Sequence, residues 1–139
     1  MNRAGPEEGL AEVGSADTIA GFDAVVAAAI ADVPDHLAPY LATVQITTAP
    51  VPDAGQRRRT GLRGTGGLYG LYEGWTVAQR LVGDTTGMAP SVITVFRIPL
   101  RRDFPEPAEL VRQIRRTVFH ELAHHFGIDD DALRAWGAY

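Results

Sequence analysis

The sequence contains no cysteine. That excludes disulfides and thiolate metal sites, so any metal bound here must be held by histidine and carboxylate; it also fits a reducing compartment. A basic surplus is missing too. With 13 Lys and Arg against 17 Asp and Glu, the formal net charge is -4, and the electrostatic footprint of a nucleic-acid binder is absent. No long apolar run is present. The best candidate, Ala24 to Ala31, is bracketed by Asp23 and Asp32 and is too short to span a bilayer. The opening residues, MNRAGPEEGLAEVGSAD, are acidic and carry no apolar leader segment. These absences lead to the expectation of a soluble, cytoplasmic monomer with neither nucleic acid nor membrane as partner.

What is present is the ordinary globular balance, 45% apolar and 22% charged residues in a chain of 139. A chain of this size builds one core. Residues 1–16 lack periodicity and are expected to be a disordered tail, leaving 17–139 as a single domain. From Ala16 the spacing of Phe22, Val25, Val26, Ile30 and Val33 predicts a helix that stops before Pro34. Ala42 to Val51 reads as a first strand and Pro52 to Gly67 as a loop. The loop's Arg57, Arg58, Arg59 and Arg63 suit a solvated basic surface better than a ligand patch, and its glycines lack the ending of a phosphate loop. Gly67 to Val77 reads as a strand and turn. Ser91 to Leu100 is the clearest strand, and Pro99 at its end hints at a sheet edge.

The stretch TVFHELAHHFGIDDDAL carries the chemistry. Pro107 is a good first-turn residue and Gly127 a usual helix stop, which predicts a helix of about five turns between them. At about 100° per residue, Val111, Ile114, Val118 and Leu122 form one stripe, while Gln113, Thr117, His120 and His124 lie on the opposite side. The i, i+4 spacing of His120 and His124 lets both imidazoles reach one ion. Glu121 is rotated off the ligand line and is placed to act as a general base. A left-handed Gly127 turns the chain back, so Asp130 is the candidate third ligand. Asp129 and Asp131 flank it as candidate caps of a last helix, and a one-residue slip in the turn would exchange these roles. His125 lies at the edge of the apolar stripe, where a packed, hydrogen-bonded histidine is favoured over a ligand.

These segments, GLYGLYEG, ITVFRIPL and RRTVFHELAHHFGIDDDAL in that order, resemble the minimal zincins, a family of zinc metallopeptidases with a matrix-metalloprotease-like fold. The resemblance runs from about Phe22 onward. It implies an α+β fold with a small mixed β-sheet packed on helices and a C-terminal active-site helix. It also implies zinc held by His120, His124 and Asp130 in an H-E-x-x-H-x-x-G-x-x-D motif, with Glu121 as base. The methionine turn of larger relatives is missing, since Met1 and Met88 both precede the motif. Tyr69, Tyr72 and Tyr139 are the candidate oxyanion donors, with packed aromatics the better reading for the first two. Two functions follow: a zinc metalloendopeptidase acting on a peptide or protein substrate laid along Ser91 to Ile98, or a non-catalytic metal-binding or regulatory module on the same scaffold. Glu121 favours the enzyme, because a purely structural site has no use for a carboxylate beside an open coordination position.

Overall fold

The structure is a computed structural model that describes residues 16–61, 68–84, 87–128 and 130–135. The expected tail lies outside these residues except for Ala16, which is buried in the core. Helix α1 spans Ile19–Ala31 and is capped by Thr18, whose hydroxyl accepts from the Gly21 N–H at 3.0 Å. A short 3-10 helix, Ala38–Thr43, then leads into strand β1, Val44–Ala49. The first two residues of the expected strand thus belong to a helical turn.

The segment expected to be all loop holds helix α2, Ala54–Thr60. Its start is a capping box: the Asp53 carboxylate accepts from Gln56 N–H at 2.8 Å, and the Gln56 side chain accepts from Asp53 N–H at 3.0 Å. Strand β2, Gly70–Glu73, is followed by helix α3, Val77–Val82, which opens with a second capping box between Thr76 and Gln79. Strand β3 is Ser91–Phe96, and the chain turns directly into helix α4, Arg97–Asp103. The expected strand therefore ends four residues early. Pro99 falls in the first turn of α4, where a missing N–H leaves no hydrogen bond unmade. Helix α5, Pro107–Phe126, and helix α6, Asp130–Ala135, complete the described chain.

The sheet is mixed, in the order β1-β3-β2, with β1 parallel and β2 antiparallel to β3. Ile46 is opposite Ile93 and Leu71 is opposite Thr94. β3 is therefore central, contrary to the edge position suggested by Pro99, and Ile93, Val95 and Phe96 are wholly buried. β2 is an edge. On one side of the sheet, α1 and α5 join in the core, where Phe22, Val25 and Val26 meet Ile93, Val95, Ile114, Val118 and Leu122. This is the α+β arrangement expected from the sequence.

Residues along β2 alternate between the two faces of the sheet. Gly70 and Tyr72 face α5: a Cβ added at Gly70 would meet Thr117 Cγ2 at 2.7 Å, and the Tyr72 hydroxyl lies 2.6 Å from His125 Nδ1. Leu71 and Glu73 face the other way. There Glu73 accepts from Gln56 Nε2 at 3.2 Å and Arg59 Nε at 2.9 Å. Arg57 donates to the Pro52 carbonyl at 3.0 Å. Two of the basic residues of the expected loop thus tie α2 to its surroundings, while Arg63 lies outside the described residues.

Candidate metal centre

Helix α5 forms where the sequence places it. Pro107 occupies the first turn, the Glu106 carboxylate caps Glu109 N–H at 2.8 Å, and Gly127 closes the helix in the left-handed region at φ 78°. Its buried residues include Leu110, Ile114, Val118 and Leu122, which fixes the rotation of the opposite face. On that face the His120 and His124 rings lie 4.9 Å apart, centroid to centroid, inclined at 62°. Two imidazoles one turn apart on an exposed flank suit ligation of a single ion.

Glu121 stands differently. Its side chain is 10% exposed against 55% for His124, and its Oε1 lies 3.4 Å from His124 Nδ1. β2 covers it, and a Cβ on Gly70 would come within 3.2 Å of Glu121 Cγ. Only glycine lets the edge strand approach the helix this closely. Burial pushes the Glu121 carboxyl above its usual range, while the neighbouring His124 and His120 act in the opposite direction. Desolvation strengthens the carboxylate as a proton acceptor.

The third ligand position is less complete. Helix α6 opens at Asp130, three residues after Gly127, but the Asp130 side chain and the whole of Asp129 lie outside the described residues. Asp131 is exposed on α6. Among the described residues no group of three His, Asp or Glu side chains is gathered closely enough to hold a metal ion. The donor set in view, two imidazoles with a carboxylate beside them, fits a metal of zinc's preferences as far as it extends.

His125 is fully buried and hydrogen-bonded, as its place on the apolar stripe suggested. Nε2 lies 2.9 Å from Thr43 Oγ1 and 3.1 Å from the Tyr40 carbonyl, and Nδ1 lies 2.6 Å from the Tyr72 hydroxyl. Burial holds this imidazole below its usual range. A backbone carbonyl can only accept, so the ring nitrogen facing Tyr40 is the protonated one, and Nδ1 is left to accept from the Tyr72 hydroxyl. The candidate oxyanion tyrosines are both engaged: Tyr72 with His125, and Tyr69 with Asp103 Oδ2 at 2.6 Å. Tyr139 lies outside the described residues. Gly70 is the participant that sequence reading missed; the run GLYGLYEG contains it, but a close strand-to-helix approach is a tertiary fact.

A mixed three-stranded sheet, with an antiparallel edge strand laid across a helix that presents paired histidines and a buried glutamate, defines a zincin-type domain. The family model for zincin-like metallopeptidases matches residues 41–138, and the chain belongs to that family. α1 precedes the matched segment, although it supplies part of the core. No curated protein gives a significant match. No helix among the described residues is long and apolar enough to cross a membrane.

Proposed function

We propose that the protein is a zinc-dependent endopeptidase of the H-E-x-x-H type. The observation that carries this reading is the buried Glu121 carboxylate, held beside the His120 and His124 rings and beneath an open sheet edge. His120 and His124 would hold the zinc ion, with Asp130 as the third ligand. The chemistry a zinc ion would supply there, when bound, is Lewis acidity towards a scissile carbonyl and a water molecule. Glu121 would accept the proton of the attacking water and deliver it to the leaving amine. Its burial under β2 keeps the carboxylate poorly solvated and therefore basic. The peptide lies extended beside β2, whose outer backbone groups offer a strand's hydrogen bonds. This replaces the expected docking along Ser91 to Ile98, because β3 is paired on both sides.

The test is metal analysis of the purified protein followed by digestion of a peptide library, with Glu121→Gln as control. The variant should keep its zinc and lose about 10²–10⁴-fold in rate. A zinc-loaded wild-type protein that cleaves nothing would remove the peptidase reading. A non-catalytic module, in which metal serves stability, then takes its place. One observation favours that second reading: the hydroxyls of Tyr69 and Tyr72 are both committed to other partners rather than offered to an oxyanion.

A further inference from the structure

Two segments remote in sequence from α5 meet on the buried ring of His125. The 3-10 helix before β1 contributes the Tyr40 carbonyl and the Thr43 hydroxyl to one ring nitrogen, and β2 contributes the Tyr72 hydroxyl to the other. The Tyr72 hydroxyl is also 2.8 Å from the Trp75 carbonyl. That carbonyl, however, already receives the Ser91 hydroxyl at 2.6 Å and Arg80 Nε at 3.1 Å, so the phenolic proton is best used by Nδ1. The Tyr72 ring also meets His124 edge-on, with centroids 6.5 Å apart.

β2 is short and, among the described residues, is an edge, with β3 on one side only. Of its residues facing α5, Gly70 has no side chain. Tyr72 is therefore the side chain that ties this strand to the metal helix, and His125 is what it is tied to.

We propose that Tyr72 and His125 are positioning residues: their hydrogen bond fixes how β2 sits over α5, and with it where a peptide docked on β2 lies relative to His120, Glu121 and His124. The proposal rests on the peptidase reading for its substrate. Neither residue touches the reacting atoms. Reacting groups must sit about 3–3.5 Å apart, and a displacement of about 1 Å costs on the order of 100-fold in rate. Loosening the strand should therefore lower turnover while zinc remains bound.

Four variants separate positioning from mere packing. In His125→Asn the amide stands where Nδ1 was and still accepts from Tyr72. In His125→Gln it reaches towards the Nε2 partners and leaves Tyr72 unanswered. At full zinc occupancy, Tyr72→Phe and His125→Gln should each lower kcat by about tenfold or more, with KM changing less. His125→Asn should stay within a few-fold of wild type, about the usual scatter for a retained hydrogen bond. The double variant Tyr72→Phe, His125→Gln should be no worse than the worse of the two singles, because the bond between the residues is lost only once. Equal losses in the Asn and Gln variants, or additive losses in the double, would overturn the proposal.

Amide hydrogen exchange on the same zinc-loaded proteins without substrate gives a readout independent of cleavage. Exchange across Gly70–Glu73 should quicken in Tyr72→Phe and His125→Gln and stay wild-type in His125→Asn; an unchanged or indiscriminate pattern overturns the clamp. Wild-type protein that cleaves no peptide while showing the selective exchange pattern would instead refute the peptidase reading and leave the clamp standing.

Discussion

On one side of α5, Leu110, Ile114, Val118 and Leu122 are buried against α1 and the sheet; on the other, His120, Glu121 and His124 bring ionisable groups together. The apolar side stabilises the fold by removing hydrocarbon from water. The polar side works against stability, since Glu121 is a desolvated carboxylate. One helix thus separates what holds the domain together from what gives it chemistry. Substitutions on the two sides should have separable consequences.

The sharpest break of that comparison is the double variant His120→Ala, His124→Ala. It should abolish zinc binding and hydrolysis together, read by elemental analysis and by peptide digestion. Its thermal unfolding in chelator should match that of wild type in chelator, because the metal's contribution to stability vanishes with the free ligand. If the double variant is markedly less stable than wild type when both are in chelator, the histidines carry the fold and the two faces are not separate.

Ile114→Ala tests the other side. Removing a wholly buried side chain from the α1–α5 contact should cost about 2–5 kcal/mol in denaturant unfolding. Zinc stoichiometry of the folded fraction should stay at the wild-type value.

The smallest expected effect lies away from both faces, at Asp103. Hydrogen bonds from Arg102 and then Tyr69 hold its carboxyl below its ordinary value. A depressed folded value means that the contribution to stability is present above the unfolded pKa and is lost as pH falls through the folded one. Tyr69→Phe removes one donor, so the Asp103 carboxyl should titrate higher in a carbon NMR titration. Asp103 and the hydrogen bond itself are exposed to solvent, although the Tyr69 ring is partly buried against the core, and stability near neutral pH should barely move.

The parts of this molecule that the sequence made legible are those governed by local period and by punctuation. α5 reads directly because its apolar spacing runs between Pro107 and Gly127, and the histidine pair follows from the same period. α2 and α3 each carry a local signature, Asp53 with Gln56 and Thr76 with Gln79; the first is set among Gly, Pro and Arg residues that favour a loop, and the six residues of α3 are too few to show an apolar period. The end of β3 was missed for another reason. Arg97 to Leu100 alternates as a strand would, but the Ile98 N–H bonds to the Pro50 carbonyl, a partner no local pattern reveals. The placement of Glu121 under Gly70 is likewise tertiary. Sequence spacing gave the residue its role without indicating the strand that buries it.

The position of α1 has a practical consequence for anyone cutting this domain out of its chain. The segment matched by the family begins at residue 41, yet Phe22, Val25, Val26 and Ala29 of α1 lie in the same core as Ile114, Val118 and Leu122. A fragment trimmed to the matched boundary would leave the inner side of the metal helix facing water as a continuous greasy strip. Such a fragment should come out of cells as insoluble aggregate, and its silence in an assay would say nothing about whether the histidines can bind zinc.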